Sequence, residues 1–304
     1  MDVASVWNLQ GQLFALLAVG VLLRKIGLFE DATKRVLTDL VLFVTLPCSI
    51  VLSFQFSIDK QLIQSLVFTF LVSVGVHVFC FLLSRLFFRK VEKAQQSVLR
   101  YGLLVSNAGF MGLPIVGELF GSAGLMYASI YLIPLRVLMW TVGLSIFSPA
   151  GASKKEAALK VILHPSMVAV YLGLMLMSFQ LSLPLFVEKT LSSIGGCTTA
   201  LSMMLIGALL AETERKHLRI DRNLLLFSFL RLVVIPLVSL LAGRLLGVEP
   251  LIIGVSVILG AMPGGSSTVI LAAKYGSDTV FTSKLVIVST ILSMLSIPIW
   301  CLVL

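Results

Sequence analysis

The chain has 304 residues, of which 58 % are hydrophobic and only 12 % are charged, and its mean hydropathy is +1.07. A soluble domain needs far more polar surface than this composition supplies. The sequence therefore predicts an integral membrane protein and excludes a cytosolic or secreted enzyme. The net charge of +9 is spread thinly between apolar runs, unlike the dense basic patch of a nucleic-acid-binding protein.

The first apolar run, 7–23, has no basic residue before it and ends in Arg24 and Lys25. A cleaved signal peptide has the opposite flanks, so we expect this run to be a first membrane span. The cysteines lie in separate apolar stretches, with no C-x-x-C pair and no histidine at metal-ligand spacing. Neither a disulfide framework nor a metal site is indicated, and no cofactor is expected.

Further apolar runs follow along the chain. A bilayer core of roughly 30 Å needs about 20 apolar residues per helix. Ten runs meet this need, at 7–23, 36–56, 64–88, 98–120, 123–147, 158–179, 188–211, 223–246, 250–272 and 279–303. Most Lys and Arg residues between them lie in the odd-numbered connections, and cytoplasmic connections carry the excess of positive charge. We predict ten spans in a bacterial inner membrane, with both termini outside.

Two similar stretches indicate an internal repeat. Residues 112–114 read Gly-Leu-Pro with Phe-Gly-Ser at 120–122, and residues 261–263 read Ala-Met-Pro with Tyr-Gly-Ser at 275–277. Each pair lies in the fourth span of a five-span half, 1–150 or 151–304. Because five is odd, the second half crosses the membrane in the opposite sense. Inverted repeats with an interrupted helix in each half are a recurring plan of secondary transporters.

Spans 4 and 9 both carry helix-breaking residues. Span 4 reads Ser-Asn-Ala-Gly-Phe-Met-Gly-Leu-Pro over 106–114, and span 9 reads Pro-Gly-Gly-Ser-Ser-Thr over 263–268. Proline removes a helical hydrogen bond and glycine favours unwinding, so the freed backbone groups must line a cavity or meet protein. Two half-helix N-termini that meet near the midplane would form an anion site. Alternatively, these residues only kink the helices for packing.

The same motifs resemble those of the auxin efflux carrier family, which includes the plant PIN-type carriers and many bacterial permeases. Asn107 with the stretch 111–114 is similar to the broken fourth helix of that family, and the stretch 263–265 is similar to its ninth helix. Gly207 in the seventh span and Pro298 in the tenth also agree. The resemblance covers essentially the whole chain.

This resemblance implies an all-α fold of ten transmembrane helices, built as two inverted five-helix repeats whose broken helices 4 and 9 cross, as in bile-acid symporters and NhaA. Helices 1, 2, 6 and 7 would form a scaffold, and helices 3–5 and 8–10 a transport domain that moves like an elevator. The implied substrate is a small organic anion such as malate, malonate or an auxin-like acid. A homodimer through the scaffold helices is also implied.

The resemblance further implies that the Asn107 amide contacts the substrate carboxylate, together with the helix ends beside the two prolines. The candidate substrate-binding residues are therefore Asn107, Gly112, Leu113, Pro114, Pro263, Gly264, Gly265, Ser266, Ser267 and Thr268. The plant carriers are apolar at the last three positions, so the hydroxyls here favour a small hydrophilic acid. The connection 148–160 is too short to hold the long cytoplasmic loop of the plant carriers.

Charged residues within the predicted spans are costly in a bilayer and usually face the protein interior. Glu118 is either a proton-coupling residue or an interfacial one, and Arg136 and Lys284 are candidate cations of the site. Arg231 either reaches the site or extends to the cytoplasmic face. His77, alone in span 3, is expected to pack by hydrogen bonding and not to relay protons.

Three other functions fit the sequence less well. A sodium-coupled symporter of the bile-acid type needs oxygen ligands, preferably charged ones. Only Glu118 lies near the breaks, although freed carbonyl groups could also serve. A membrane receptor or sensor has no need of paired breaks. An intramembrane protease built on Ser266 needs a histidine in a later span, and none follows His217.

Overall fold

The computed structural model describes residues 3–57, 59–147, 154–211, 221–265 and 267–304. Within them every regular element is helical, so the prediction of an all-α protein is confirmed. The α-helices are α1 (Val3–Lys25), α2 (Asp31–Leu40), α3 (Leu46–Leu52), α4 (Lys60–Phe87), α5 (Lys93–Leu104), α6 (Leu113–Trp140), α7 (Val142–Phe147), α8 (Lys154–Ile162), α9 (Pro165–Ser178), α10 (Leu185–Ala211), α11 (Arg222–Phe229), α12 (Ile235–Leu245), α13 (Pro250–Gly260), α14 (Ser267–Lys274) and α15 (Thr279–Val303).

Short π-helical segments join some of these helices. In the described chain they are Val41–Thr45, Ala108–Gly112 and Leu230–Val234. The helix that follows each of them has proline at its second position, namely Pro47, Pro114 and Pro236. A proline within a helix has no N–H to donate, and its ring clashes with the carbonyl four residues earlier. The wider turn before each proline accommodates both effects, so the helices continue past their prolines.

Several helices are suited to crossing a membrane. In the part of the chain that the structure describes, six stretches are long and apolar enough, and α9 and α13 are shorter apolar helices. The six stretches are Asp31–Leu52, Lys60–Phe87, Ala108–Phe147, Leu185–Ala211, Arg222–Leu245 and Thr279–Val303. These helices identify an integral membrane protein, as the composition predicts. The count of ten spans and the inverted repeat stay predictions.

The stretch Ala108–Phe147 contains the second part of predicted span 4 and all of predicted span 5, with no loop between them. Its 40 residues far exceed the roughly 20 that cross a bilayer core. Gly121 interrupts the helical path with φ 63° and ψ −157°, a backbone conformation that residues with a Cβ atom rarely adopt. The chain therefore changes direction at Gly121, between the two predicted spans.

Predicted span 4 is broken, but the break precedes Pro114. Helix α5 ends at Leu104, the chain is non-helical over 105–107, and helical turns resume at Ala108. Pro114 lies in the first turn of α6. The wider π turn before it accommodates the missing N–H and relieves the clash of the proline ring with the preceding carbonyl group. Predicted span 9 is broken between the end of α13 at Gly260 and the start of α14 at Ser267.

Helices α1 and α10 pack with their backbones in contact. A Cβ atom added to Gly207 would overlap the carbonyl oxygen of Leu17, and one added to Gly20 would overlap that of Met204. Helix α3 contacts α10 as well, because the Ser49 hydroxyl donates to the carbonyl oxygen of Gly195 at 3.0 Å. Predicted span 7 thus contacts both span 1 and span 2, while the division into scaffold and transport domain stays a prediction.

The contact between α1 and α10 generates a stability prediction. We expect Gly207→Ala to destabilise the protein by about 1–3 kcal/mol, because the added methyl group forces the two backbones apart. The measurement is the thermal unfolding midpoint in nanodiscs. Gly196→Ala is the matched control, since Gly196 lies on the same helix with no atom within 4 Å of its added Cβ. Equal midpoints for the two variants would contradict the prediction.

Candidate functional site

The two helix breaks contact each other through their backbones. Ser106 and Gly264 form an isolated antiparallel β-bridge. The Asn107 N–H donates to the carbonyl oxygen of Pro263 at 2.8 Å, and the Gly265 N–H donates to that of Val105 at 3.3 Å. We call residues 105–107 and 261–265 the crossing. Each break supplies hydrogen-bond partners that the other lacks, which a backbone surrounded by hydrocarbon requires.

Small residues allow the two chains to approach at the crossing. A Cβ atom added to Gly112 would lie 2.7 Å from Cδ2 of Leu259. One added to Gly264 would lie 2.8 Å from Cδ2 of Leu285, and one added to Gly265 would lie 3.3 Å from the carbonyl oxygen of Ser106. These glycines therefore serve close packing around the crossing.

Four helix ends converge on the crossing. The carbonyl ends of α5 and α13 arrive there, and the N–H ends of the segment Ala108–Gly112 and of α14 leave it. A helix N-terminus carries a partial positive charge of about half an electron. Asn107 occupies the N-cap position of the first of these N-termini, and its side chain makes no capping hydrogen bond. The N-terminal side of the crossing is thus suited to an anion.

A cavity of about 960 Å³ lies beside the crossing. Ser106 and Asn107 line it from the first break, Gly265 and Ser267 from the second, and Thr290 from α15. Much of the remaining wall consists of leucine, isoleucine and valine side chains. A large apolar cavity with a few converging polar groups is the usual form of a small-molecule site.

The ionisable residues in this lining are basic: Lys34, Arg136, His164 and Lys284. Among the described residues, no aspartate or glutamate lines the cavity. Arg136 is buried in α6, its Nη1 atom lies 3.9 Å from Sδ of Met167, and no carboxylate of the described chain forms an ion pair with it. Lys34 does pair with Asp31, at 2.9 Å. The cavity therefore has a positive electrostatic character.

The structure brings part of the predicted site together. Asn107, Gly265, Ser267, Arg136 and Lys284 all line the cavity. The other described candidates for substrate binding are buried behind the lining: Gly112, Leu113, Pro114, Pro263, Gly264 and Thr268. Ser266 lies outside the described residues. Glu118 is exposed on α6 and does not line the cavity, so the structure does not bring it to the site.

Two contacts of the interrupted helices, in addition to the cavity residues Ser106 and Thr290, involve residues that were not predicted to belong to the site. The Tyr101 hydroxyl donates to Oγ of Ser267 at 3.3 Å, and Oγ of Ser289 accepts from the Gly264 N–H at 3.2 Å. Tyr101 precedes the break by more than one turn, and Ser289 belongs to a different helix. The helix-breaking pattern carries no signal for either residue, because both reach the crossing through the tertiary packing.

Arg231 and His77 lie outside the cavity lining. The His77 Nδ1 atom is 2.7 Å from the carbonyl oxygen of Ser73, within the same helix. Arg231 is 3 % exposed, and its guanidinium donates to the carbonyl oxygens of Leu103 and Met262. Arg231 therefore follows neither predicted course: its head group reaches neither the cavity nor the solvent.

Comparisons with known proteins agree with a transporter. The family model described as membrane transport protein matches residues 11–301. An uncharacterized transporter of Methanothermobacter thermautotrophicus is 26 % identical over 295 residues, which cover 95 % of each chain. An uncharacterized transporter of Methanocaldococcus jannaschii is 23 % identical over 293 residues, or 94 % of each chain. One of Escherichia coli is 23 % identical over 284 residues, or 90 % of this chain and 89 % of that protein. The chain belongs to the membrane transport protein family, which is the auxin efflux carrier family that its proline motifs resemble.

Proposed function

We propose that the protein is a secondary transporter of a small organic anion. The observation that carries this proposal is the cavity beside the crossing, whose described ionisable residues are basic and whose lining includes the Asn107 amide. Membership of a transporter family favours transport over a receptor function. A positive cavity within a membrane attracts anions and repels cations.

In this proposal the substrate carboxylate lies against Asn107 and Ser267. Both residues line the cavity, and both stand where a helical segment begins. Backbone N–H groups and the helix dipole favour negative charge at such positions. The amide and the hydroxyl can each donate a hydrogen bond to a carboxylate oxygen. Arg136 and Lys284 add positive charge from the wall of the same cavity.

The polar groups at the crossing favour a small hydrophilic acid, such as malate or malonate. Ser106, Ser267 and Thr290 are hydroxyl-bearing residues that line the cavity. A substrate hydroxyl or second carboxylate could form hydrogen bonds with these hydroxyl oxygen atoms, whereas an aromatic hydrocarbon ring offers them none and removes water from them. An auxin-like acid is the alternative substrate, because the rest of the wall is apolar.

The proposed mechanism is an elevator movement. Spans 1, 2, 6 and 7 form a scaffold that carries the homodimer contact, and the crossing moves with spans 3–5 and 8–10. The backbone contact between α1 and α10 supports a rigid scaffold. Lys34, His164 and Lys284 of the cavity lie near predicted cytoplasmic connections, which supports a cavity that opens to the cytoplasm of a bacterial inner membrane, with both termini outside.

The first transport prediction concerns Asn107. We expect Asn107→Ala to raise the half-saturating concentration of the substrate about tenfold or more, because a carboxylate loses a hydrogen-bond donor inside the cavity. The measurement is substrate-induced current on a solid-supported membrane, with malonate, malate, lactate and indole-3-acetate applied to the same proteoliposomes.

The matched control is Asn223→Ala, which removes an amide from a half-buried position at the start of α11 that does not line the cavity. It is expected to leave the current unchanged. Labelled acid that binds the Asn107→Ala variant as tightly as the wild type would place the site elsewhere. Folded wild-type protein that neither binds nor moves any of these acids would reject the anion proposal itself.

The second transport prediction separates the two wall cations. We expect Arg136→Gln to raise the half-saturating concentration about tenfold at any ionic strength, because a buried charge is screened little by salt. Lys284 is half-buried, so Lys284→Gln is expected to have an effect of about threefold that shrinks in high salt. Identical salt dependence of the two variants would show that the cations do not act from different depths of the cavity.

A further inference from the structure

Arg231 is a buried cation that binds both interrupted helices at once. It lies in the π segment Leu230–Val234, just before α12. Its Nε atom donates to the carbonyl oxygen of Met262 at 2.9 Å, and its Nη1 atom donates to that of Leu103 at 3.1 Å. The same Nη1 atom lies 3.8 Å from Sγ of Cys80 in α4. One side chain thus connects three parts of the fold.

The Leu103 carbonyl lies in the last turn of α5, just before the first break, and the Met262 carbonyl lies in the second break. In a continuous helix, the Leu103 carbonyl would accept from the N–H four residues later, that of Asn107. The Asn107 N–H instead donates to Pro263, so the crossing itself removes the usual donor. Met262 follows the end of α13 at Gly260 and lies in the second break. The guanidinium supplies a hydrogen bond to each of these carbonyl oxygens.

Among the described residues, no carboxylate forms an ion pair with Arg231. Its charge is balanced by helix ends instead. Helices α5 and α13 both direct their carbonyl ends at the crossing, and a helix C-terminus carries a partial negative charge. A buried charge without compensation is costly in a membrane. The two helix ends and the cation therefore stabilise one another.

In transporters built from discontinuous helices, unwound carbonyls and half-helix C-terminal ends typically coordinate the coupling sodium ion or proton. We propose that Arg231 is a fixed internal cation that takes the place of a sodium ion at the crossing. It is a positioning residue that holds both breaks together, and it excludes sodium from the carbonyl groups of Leu103 and Met262. Anion transport is then independent of sodium in the wild type.

The guanidinium of Arg231 also occupies a latent ion site. Removal of the guanidinium leaves two carbonyl oxygens and two helix C-terminal ends without a cation, and a small monovalent cation then binds there. The expected effect of sodium on transport rests on the proposed function, because it can be seen only if the protein transports an anion. The binding consequence does not, because it concerns only the crossing.

The experiment compares Arg231→Gln, Arg231→Lys, the control Arg244→Gln and the wild type in nanodiscs. Thermal unfolding midpoints are measured in sodium, lithium and choline chloride at equal ionic strength. Arg244 donates to the carbonyl oxygen of Val303 but is exposed, so its variant controls for loss of an arginine from the same region. Substrate-induced current is recorded in the same salts for each protein that transports.

We expect the midpoint of Arg231→Gln to rise saturably with sodium or lithium but not with choline. The midpoints of the wild type, Arg231→Lys and Arg244→Gln should be equal in all three salts. Transport by Arg231→Gln should fall about tenfold in choline, in keeping with the loss of hydrogen bonds from a charged group, and recover in sodium. Transport by the wild type should be the same in both salts.

Saturable stabilisation of the wild type by sodium would overturn the proposal, because the site would then already accept the ion. So would an Arg231→Gln variant that folds equally well in every salt, or an Arg231→Lys variant that acquires the sodium response although it keeps the charge. If Arg231→Gln folds only when sodium is present, the proposal is supported. If the wild type moves no anion while sodium still stabilises Arg231→Gln, the proposed function fails and the inference about Arg231 stands.

Discussion

The pairing of two broken helices through their backbones is the constraint on which the rest of the structure depends. A lipid bilayer supplies no water to unpaired N–H and C=O groups, so a helix can unwind inside it only where protein supplies partners. The N–H groups of Asn107 and Gly265 each donate across the crossing, and Arg231 binds carbonyl oxygens from both interrupted helices. With these bonds in place, helix termini can lie beside a cavity inside the protein.

This arrangement separates two charges at one crossing. Helix N-termini face the cavity with Asn107 and Ser267, while helix C-termini are contacted by the buried guanidinium of Arg231. The N-terminal side is open to the cavity, and the C-terminal side is occupied by the Arg231 side chain. A site that is electrostatically preorganised in this way requires little rearrangement when a charged ligand arrives.

Much of this fold could be predicted from the sequence, because hydropathy and helix-breaking residues act locally. The all-α membrane fold and breaks in spans 4 and 9 follow from these signals. The position of the first break does not follow from them. Pro114 is the strongest helix breaker in the motif, but the π turn before it lets the helix continue. The chain unwinds at 105–107, where the tertiary contact with Pro263 supplies a partner.

The side chains at the site were harder to predict for a related reason. Asn107, Gly265 and Ser267 lie within the broken motifs, which suffices to place them beside the breaks and the cavity. Arg231 and Ser289 reach the crossing from other helices, and Tyr101 contacts Ser267 across the two interrupted helices. Neither periodicity nor hydropathy encodes which helices become neighbours, so these contacts require the three-dimensional structure.

The backbone contact between α1 and α10 has a mechanical consequence. Two helices that meet through ordinary side chains can slide past one another by small rotamer changes, whereas Gly20 and Gly207 leave no side chain to adjust. A shift by one turn would bring Met203 or Leu210 to the place of Gly207, against the carbonyl oxygen of Leu17. Helices α1 and α10 are therefore fixed relative to each other. Any large rearrangement of the protein must leave this contact undisturbed and take its freedom from other contacts.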